Sequence, residues 1–351
     1  MEYRELTSAQ KIFFGNTQTF QNSMWNQGYF VQFNEKYSYD RINSVLNSFM
    51  EKNDGARVRV TTIDNVPYSY IVDYEETTFE YKVFTSKDLL DDFVNIDLEK
   101  EFHIDSELFR CYICEIGEFS GILFVAHHLL CDGGSVLSLS SIIDALTKDE
   151  DIDSYSYRTH LLKNLEYLNT NKRINDKKYW EKQFSTTPKT LLFSKKDYSL
   201  NYDGGKEEVT ITKQTSNLIR NFCKQYQITI QSFFNTIFGV YLWNSQGAEP
   251  FTIGVPLSNR VSNKDMKTFG LFVQVVPLVI DFQAESFIDN AKKAYDTLLS
   301  MFRHYNYSSY DISNELLNNH KVYDVVLEYH YQYKTQDFFV ETFLATRFQL
   351  L

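Results

Sequence analysis

The segment His127-His128-Leu129-Leu130-Cys131-Asp132-Gly133-Gly134-Ser135 holds the side chains best suited to chemistry. It follows Gly121-Ile122-Leu123-Phe124-Val125-Ala126, a run apolar enough for a buried strand, so two imidazoles arrive at the rim of a core. Consecutive strand residues point to opposite faces. If the strand runs through both histidines, one faces a cleft, the other packs, and they cannot share one substrate or one metal. An Asp four residues after His128, followed by two glycines, predicts a tight turn that returns a carboxylate beneath the strand end and exposes backbone N–H groups. Such a turn can hold an imidazole and donate to a developing oxyanion, which is what acyl transfer requires. Spacing alone also fits the commoner case, a satisfied polar residue at a strand end followed by an ordinary Asp-Gly turn.

Before this segment, apolar residues at Ile42, Val45, Leu46 and Phe49 mark one face of a helix over 40–51, and Leu6-Thr7-Ser8-Ala9-Gln10 opens another with a capping hydroxyl. Alternating runs at 29–33, 57–60, 68–72 and 80–84 read as strands, with a stronger pair at 108–116 and 121–130. Helical spacing returns over 136–146. The pattern is α+β, mixed sheet with helices. A polar stretch at 147–154 and helical runs beyond it suggest a join, giving lobes over 1–165 and 166–351. In the second lobe 208–212 reads as a strand, 216–226 and 231–243 as helices, and 250–255 and 272–281 as strands. No repeat or low-complexity tract is visible.

With 351 residues, two lobes are the natural prior. A hydrophobic fraction of 43% against 23% charged residues argues for a globular chain. The net charge of −11 argues against nucleic acid, whose binding needs clustered Lys and Arg. No signal-like start or long apolar stretch is present, so a cytoplasmic location without membrane is expected. Cys111 and Cys114 form a C-x-x-C inside a strand-like run, where an offset of three separates them onto opposite faces. Reduced thiols and no metal are expected.

The histidine segment resembles the H-H-x-x-x-D-G-x-S signature of nonribosomal peptide synthetase condensation domains and their relatives, which include chloramphenicol acetyltransferase. Further stretches resemble the same family in the same order. They are Leu6-Thr7-Ser8-Ala9-Gln10, Asn53-Asp54-Gly55-Ala56-Arg57-Val58-Arg59-Val60, Tyr179-Trp180, Ile253-Gly254-Val255-Pro256-Leu257-Ser258-Asn259-Arg260, Phe269-Gly270-Leu271-Phe272-Val273-Gln274 and Tyr323-Asp324-Val325-Val326-Leu327-Glu328-Tyr329. Gly134 stands where many members carry Trp, and Gln274 where many carry Asn.

The resemblance implies two chloramphenicol-acetyltransferase-like lobes in a V-shaped pseudo-dimer, with His128 as catalytic residue in a tunnel between them. A phosphopantetheine thioester, on a carrier protein or on CoA, would meet an amine or hydroxyl acceptor there, with no cofactor bound. His127 packs in support, the Gly133 N–H faces the oxyanion, and Gly134, Ser135 and Gln274 line the substrate path. Asp132 holds the loop through an arginine. Arg260 is expected in that place rather than Arg57, unless both are surface residues. Amide-bond formation within a synthetase is the leading expectation. A free-standing N- or O-acyltransferase and a non-catalytic binder of carrier proteins are the alternatives. The second lobe is read as incomplete at its C-terminus. Its apolar residues 338–351 and a strand edge near 325–329 would be left uncovered, favouring self-association.

Overall fold

The computed structural model of the chain describes residues 2–19, 22–153, 155–185, 209–245, 249–282, 286–329 and 338–344. The chain runs β1 (Arg4–Glu5), α1 (Ser8–Thr19), β2 (Asn26–Phe33), α2 (Tyr39–Lys52), β3 (Val58–Ile63), β4 (Val66–Ile71), β5 (Glu80–Phe84), α3 (Lys87–Leu98), β6 (Phe109–Ile116), β7 (Phe119–His127), α4 (Val136–Thr147) and α5 (Tyr157–Tyr167). It continues through α6 (Asn171–Gln183), α7 (Lys213–Tyr226), α8 (Ile230–Ser245), β8 (Phe251–Leu257), α9 (Asn263–Lys267), β9 (Gln274–Ile280), α10 (Phe287–Met301), α11 (Ser309–Leu316) and β10 (Phe338–Leu344). This is the mixed α and β content the hydrophobic pattern predicts.

Two compact units emerge. The first comprises Met1–Glu166, the returning segment Ser258–Val273 and the stretch carrying β10. The second comprises Tyr167–Leu257 and Gln274–His330. The expected blocks 1–165 and 166–351 differ from this division in the two returning segments. Both follow from pairing: β10 lies antiparallel against β2 in seven-residue register, and Phe269 sets its ring edge-on against Phe49 and Phe124 of the first unit's core.

The first unit is built on a five-stranded sheet of order β10-β2-β7-β6-β5, antiparallel except for β5 beside β6. β7 is central, and every residue from Ser120 to His127 is buried, as a continuous apolar run in a covered strand requires. Helix α2 buries Ile42, Val45, Leu46 and Phe49, the face its spacing marks, and starts where the Ser38 hydroxyl accepts the Arg41 N–H. At the head of α1, Thr7 Oγ1 accepts the Gln10 N–H and Gln10 Oε1 accepts the Thr7 N–H. This reciprocal cap explains why Thr and Gln stand three apart. A second sheet, β1-β4-β3, is antiparallel.

In the second unit β8 pairs antiparallel with β9, and α8, α10 and α11 surround a separate core containing Trp180, Ile253, Leu278 and Tyr307. Two sequence expectations are corrected. Residues 209–212 form no strand, with Val209 and Ile211 exposed rather than paired, and residue 208 lies outside the described residues. The stretch 325–329 is reduced to a single parallel bridge, Val326 to Gly254, with Gly254 N–H donating to the Val325 carbonyl and Leu327 N–H to the Gly254 carbonyl. The end of the apolar segment, 345–351, also lies outside the described residues. Among the described residues no helix is long and apolar enough to cross a membrane.

Candidate active site

The strand ends between the two histidines. His127 is the last residue of β7, paired with Asn26; the His128 N–H still meets the carbonyl of Trp25, next in the same register, at 2.9 Å, and Leu130 N–H then closes a turn onto the His127 carbonyl. His127 is fully buried. Its Nδ1 accepts the Leu129 N–H at 3.0 Å, so that nitrogen carries no proton and the ring is the neutral Nε2–H form. His128 is partly buried, and its ring stacks on Phe13 with centroids 4.1 Å apart and planes 15° from parallel. One histidine packs and its neighbour is the accessible one. Chain reversal, rather than strand alternation alone, separates them.

Leu129, Leu130 and Cys131 then pass through the core, where Gln27 Nε2 of β2 donates to the Cys131 carbonyl at 2.7 Å and Gln27 Oε1 accepts the Tyr29 hydroxyl. Asp132 follows, buried and saturated. Its Oδ1 accepts Arg260 Nη2 at 2.8 Å, and its Oδ2 accepts the N–H groups of Phe272 at 2.7 Å and Val273 at 2.8 Å. Burial by itself raises the Asp132 carboxyl. The Arg260 charge and hydrogen bond, with the two backbone donors, outweigh it and hold the group below the usual carboxylate range. With both oxygens engaged, Asp132 fastens the loop and is not placed to take a proton from substrate.

Arg260 engages both of its terminal nitrogens. Besides Asp132, Nη2 donates to Ser135 Oγ at 3.2 Å and the Gly270 carbonyl at 3.0 Å, while Nη1 donates to the carbonyls of Asp265 and Thr268, each at 2.6 Å. Its guanidinium lies 4.1 Å over the Phe272 ring, whose centroid is 4.0 Å from that of His160. Two glycines admit this packing. A Cβ at Gly134 would fall inside contact distance of Arg260 Nε, and Gly270, with φ of 153°, lies against the Tyr157 ring where a Cβ has no room. A bulky residue at position 134 is therefore incompatible with this placement of Arg260.

Asp132, Gly133, Gly134, Ser135 and Arg260 are brought together in one unit. Other expectations change. Arg57 supports α2 instead, donating to the carbonyls of Met50, Glu51 and Val72, because it follows directly on that helix's C-terminal turn. Ser135, expected along a substrate path, is 1% exposed, and its hydroxyl donates to the Gly270 carbonyl at 2.9 Å. Gln274 opens β9 opposite Leu257 in the second unit and is 3% exposed. Gly133 is exposed, with nothing within 4 Å of where a Cβ would stand, so its backbone borders open space. Residues that sequence reasoning missed include Gln27, Tyr157 and Phe13. Only Phe13 carried a signal, its place one turn after the capping Thr and Gln.

Among the described residues, no group of three or more metal-ligating side chains comes together. Cys111, Cys114, Cys131 and Cys223 are buried free thiols, and burial pushes Cys114 up to about 12, far from a thiolate at neutral pH.

A covered sheet that ends in a doubled histidine, with an aspartate loop clamped by a distant arginine, defines a recognisable class. The condensation-domain family model matches residues 2–350, and the chain belongs to that family. Surfactin synthase subunit 1 of Bacillus subtilis (strain 168) is 25% identical over 313 residues, 83% of this chain but 9% of that protein. The chain thus corresponds to a small part of its curated relative. A solved structure of the first condensation domain of the calcium-dependent antibiotic synthetase, in complex with substrate analogue 3a, matches at TM-score 0.78 and 14% identity, covering 98% of this chain and 85% of that one. A mutant of the starter condensation domain of rhizomide synthetase RzmA, in complex with C8-CoA and Leu-SNAC, matches at TM-score 0.80 and 13% identity, covering 98% and 83%. These likenesses show the fold.

Proposed function

We propose that this chain is an acyltransferase of the condensation type, moving an acyl or peptidyl group from a phosphopantetheine thioester to an amine, with His128 at the reacting centre. The observation that carries the reading is the accessible, ring-stacked His128 at the head of a loop whose aspartate is already fully bound. Asp132 and Ser135 stay with the loop, leaving the imidazole as the group for proton transfer. An unperturbed imidazole titrates at about 6.5, near neutral working conditions.

In this reading the amine lone pair forms a C–N bond to the thioester carbonyl as His128 orients the amine and takes its departing proton. The carbonyl oxygen, now negative, faces the Gly133 N–H beside open space. When the tetrahedral intermediate collapses, the C–S bond breaks and the proton passes to the leaving sulfur. The phosphopantetheine arm belongs to the substrate. A carrier protein is the proposed partner within a synthetase, and CoA, held by the rhizomide relative as C8-CoA, presents the same arm.

The test is product formation in single turnovers from a panel of acyl donors, C8-CoA and its carrier-linked counterpart among them, with Leu-SNAC as the amine. An amide product that disappears in His128→Ala supports the reading, and an undiminished rate in that variant overturns it. Preference for the carrier-linked donor marks synthetase chemistry, whereas equal use of CoA marks a free-standing transferase.

A further inference from the structure

We propose that Phe13 is a positioning residue for His128, fixing the plane in which the imidazole works. The inference rests on the reading of His128 as the reacting side chain. Its basis is a closed circuit of contacts. The ring of Phe13, on α1, lies face to face with the imidazole at 4.1 Å and 15°. The indole of Trp25 meets Phe13 edge-on at 5.2 Å and 77°. Trp25 also supplies the carbonyl that accepts the His128 N–H at 2.9 Å. One residue therefore anchors the histidine's backbone and backs the ring on which its side chain rests.

Such support is needed because His128 stands just past the end of β7, where its hydrogen bond to the Trp25 carbonyl fixes the backbone but leaves the side-chain torsions unset. The second side-chain torsion of histidine has a broad, roughly two-fold profile, so an unsupported imidazole swings out of plane at little cost. A flat neighbour removes that swing. Stacking covers one face of the ring, while both nitrogens act in the ring plane, so Phe13 restrains the imidazole without obstructing its hydrogen-bonding directions. Helix α1 is itself held at its head by the Thr7 and Gln10 cap, one turn before Phe13. The packed wall therefore comes from outside the histidine loop.

The experiment compares wild type, Phe13→Leu, Phe13→Tyr and His128→Ala, using C8-CoA or the donor that wild type uses best, with Leu-SNAC. Expected for Phe13→Leu is a fall in kcat of up to about 10²-fold with KM nearly unchanged, because orientation is lost and binding is not. Phe13→Tyr, which keeps the flat ring, restores most of the rate. Independently of turnover, the His128 ring protons are shifted upfield in the NMR spectrum by the Phe13 ring current, and the shift disappears in Phe13→Leu and persists in Phe13→Tyr. Circular dichroism and the unfolding midpoint check that Phe13→Leu folds; should it fail, the tyrosine and a Phe13→Met variant carry the comparison. Full turnover in Phe13→Leu beside an inert His128→Ala overturns the positioning alone. A fully active His128→Ala overturns the functional reading and the positioning with it.

Discussion

Ser135 and Gly270 exchange hydrogen bonds across 135 positions of sequence: the serine hydroxyl donates to the Gly270 carbonyl at 2.9 Å, and the Gly270 N–H donates back to the hydroxyl at 3.2 Å. The histidine loop is thereby tied to the returning segment through backbone atoms as well as through the Asp132–Arg260 ion pair. The loop's geometry depends on a segment from the far half of the chain, and several outcomes follow from that dependence.

Asp132→Asn is expected to destabilise the first unit by roughly 3–5 kcal/mol, the usual cost of breaking a buried pair. Asn carries one acceptor oxygen, so whichever way the amide turns, its NH2 meets either Arg260 or the Phe272 and Val273 N–H groups, all donors. In wild type the depressed carboxyl gives stability that is present above about pH 4 and lost as pH falls through the folded value. Urea titrations over acidic pH should show that loss in wild type and not in the variant.

Gly134→Ala should cost about 1–3 kcal/mol, because the new methyl displaces the Arg260 guanidinium. In an Arg260→Ala background most of this penalty should vanish, giving a coupling of similar size in a double-mutant cycle. Simple additivity would show that Gly134 is small for another reason.

His160 supplies a pH dependence of opposite origin. Burial first, and then the nearby Arg260 charge, pull its pKa down to about 4, and its Nε2 accepts from Asn164 Nδ2 at 3.1 Å. Below about pH 6.5 the unfolded chain takes up a proton that the folded chain refuses. Stability should therefore decline as pH falls from about 6.5 towards 4. His160→Gln, which keeps an acceptor for Asn164, should flatten that decline in denaturation measured at several pH values.

The two histidines should separate cleanly. His127→Ala removes the acceptor for the buried Leu129 N–H, with an expected loss of about 1–3 kcal/mol plus the cost of the cavity. His128→Ala removes a partly exposed ring and should alter the thermal midpoint far less while abolishing transfer. Comparable midpoints for both variants would contradict the division of roles.

How much of this was legible from residues alone can be judged element by element. The helix over α2, the strands β5 and β6, and the order of motifs from Leu6 to Tyr329 follow from local spacing and capping, which nearest neighbours decide. The histidine loop was visible for the same reason: doubled imidazoles, an aspartate and two glycines at close quarters are a local pattern. Periodicity could not say that β7 stops at His127, because the run stays apolar through Leu129 and Leu130, and only the turn closed by the Leu130 N–H on the His127 carbonyl ends the ladder. It could not place Ser135 inside the loop's clasp or Arg57 under α2, nor seat β10 beside β2. Those outcomes depend on which distant backbone donors and aromatic faces meet once the sheet has formed. The sequence determined the polar side chains on offer, and tertiary packing decided which of them are tied up and which stay accessible, because buried polar groups must find partners wherever the fold supplies them.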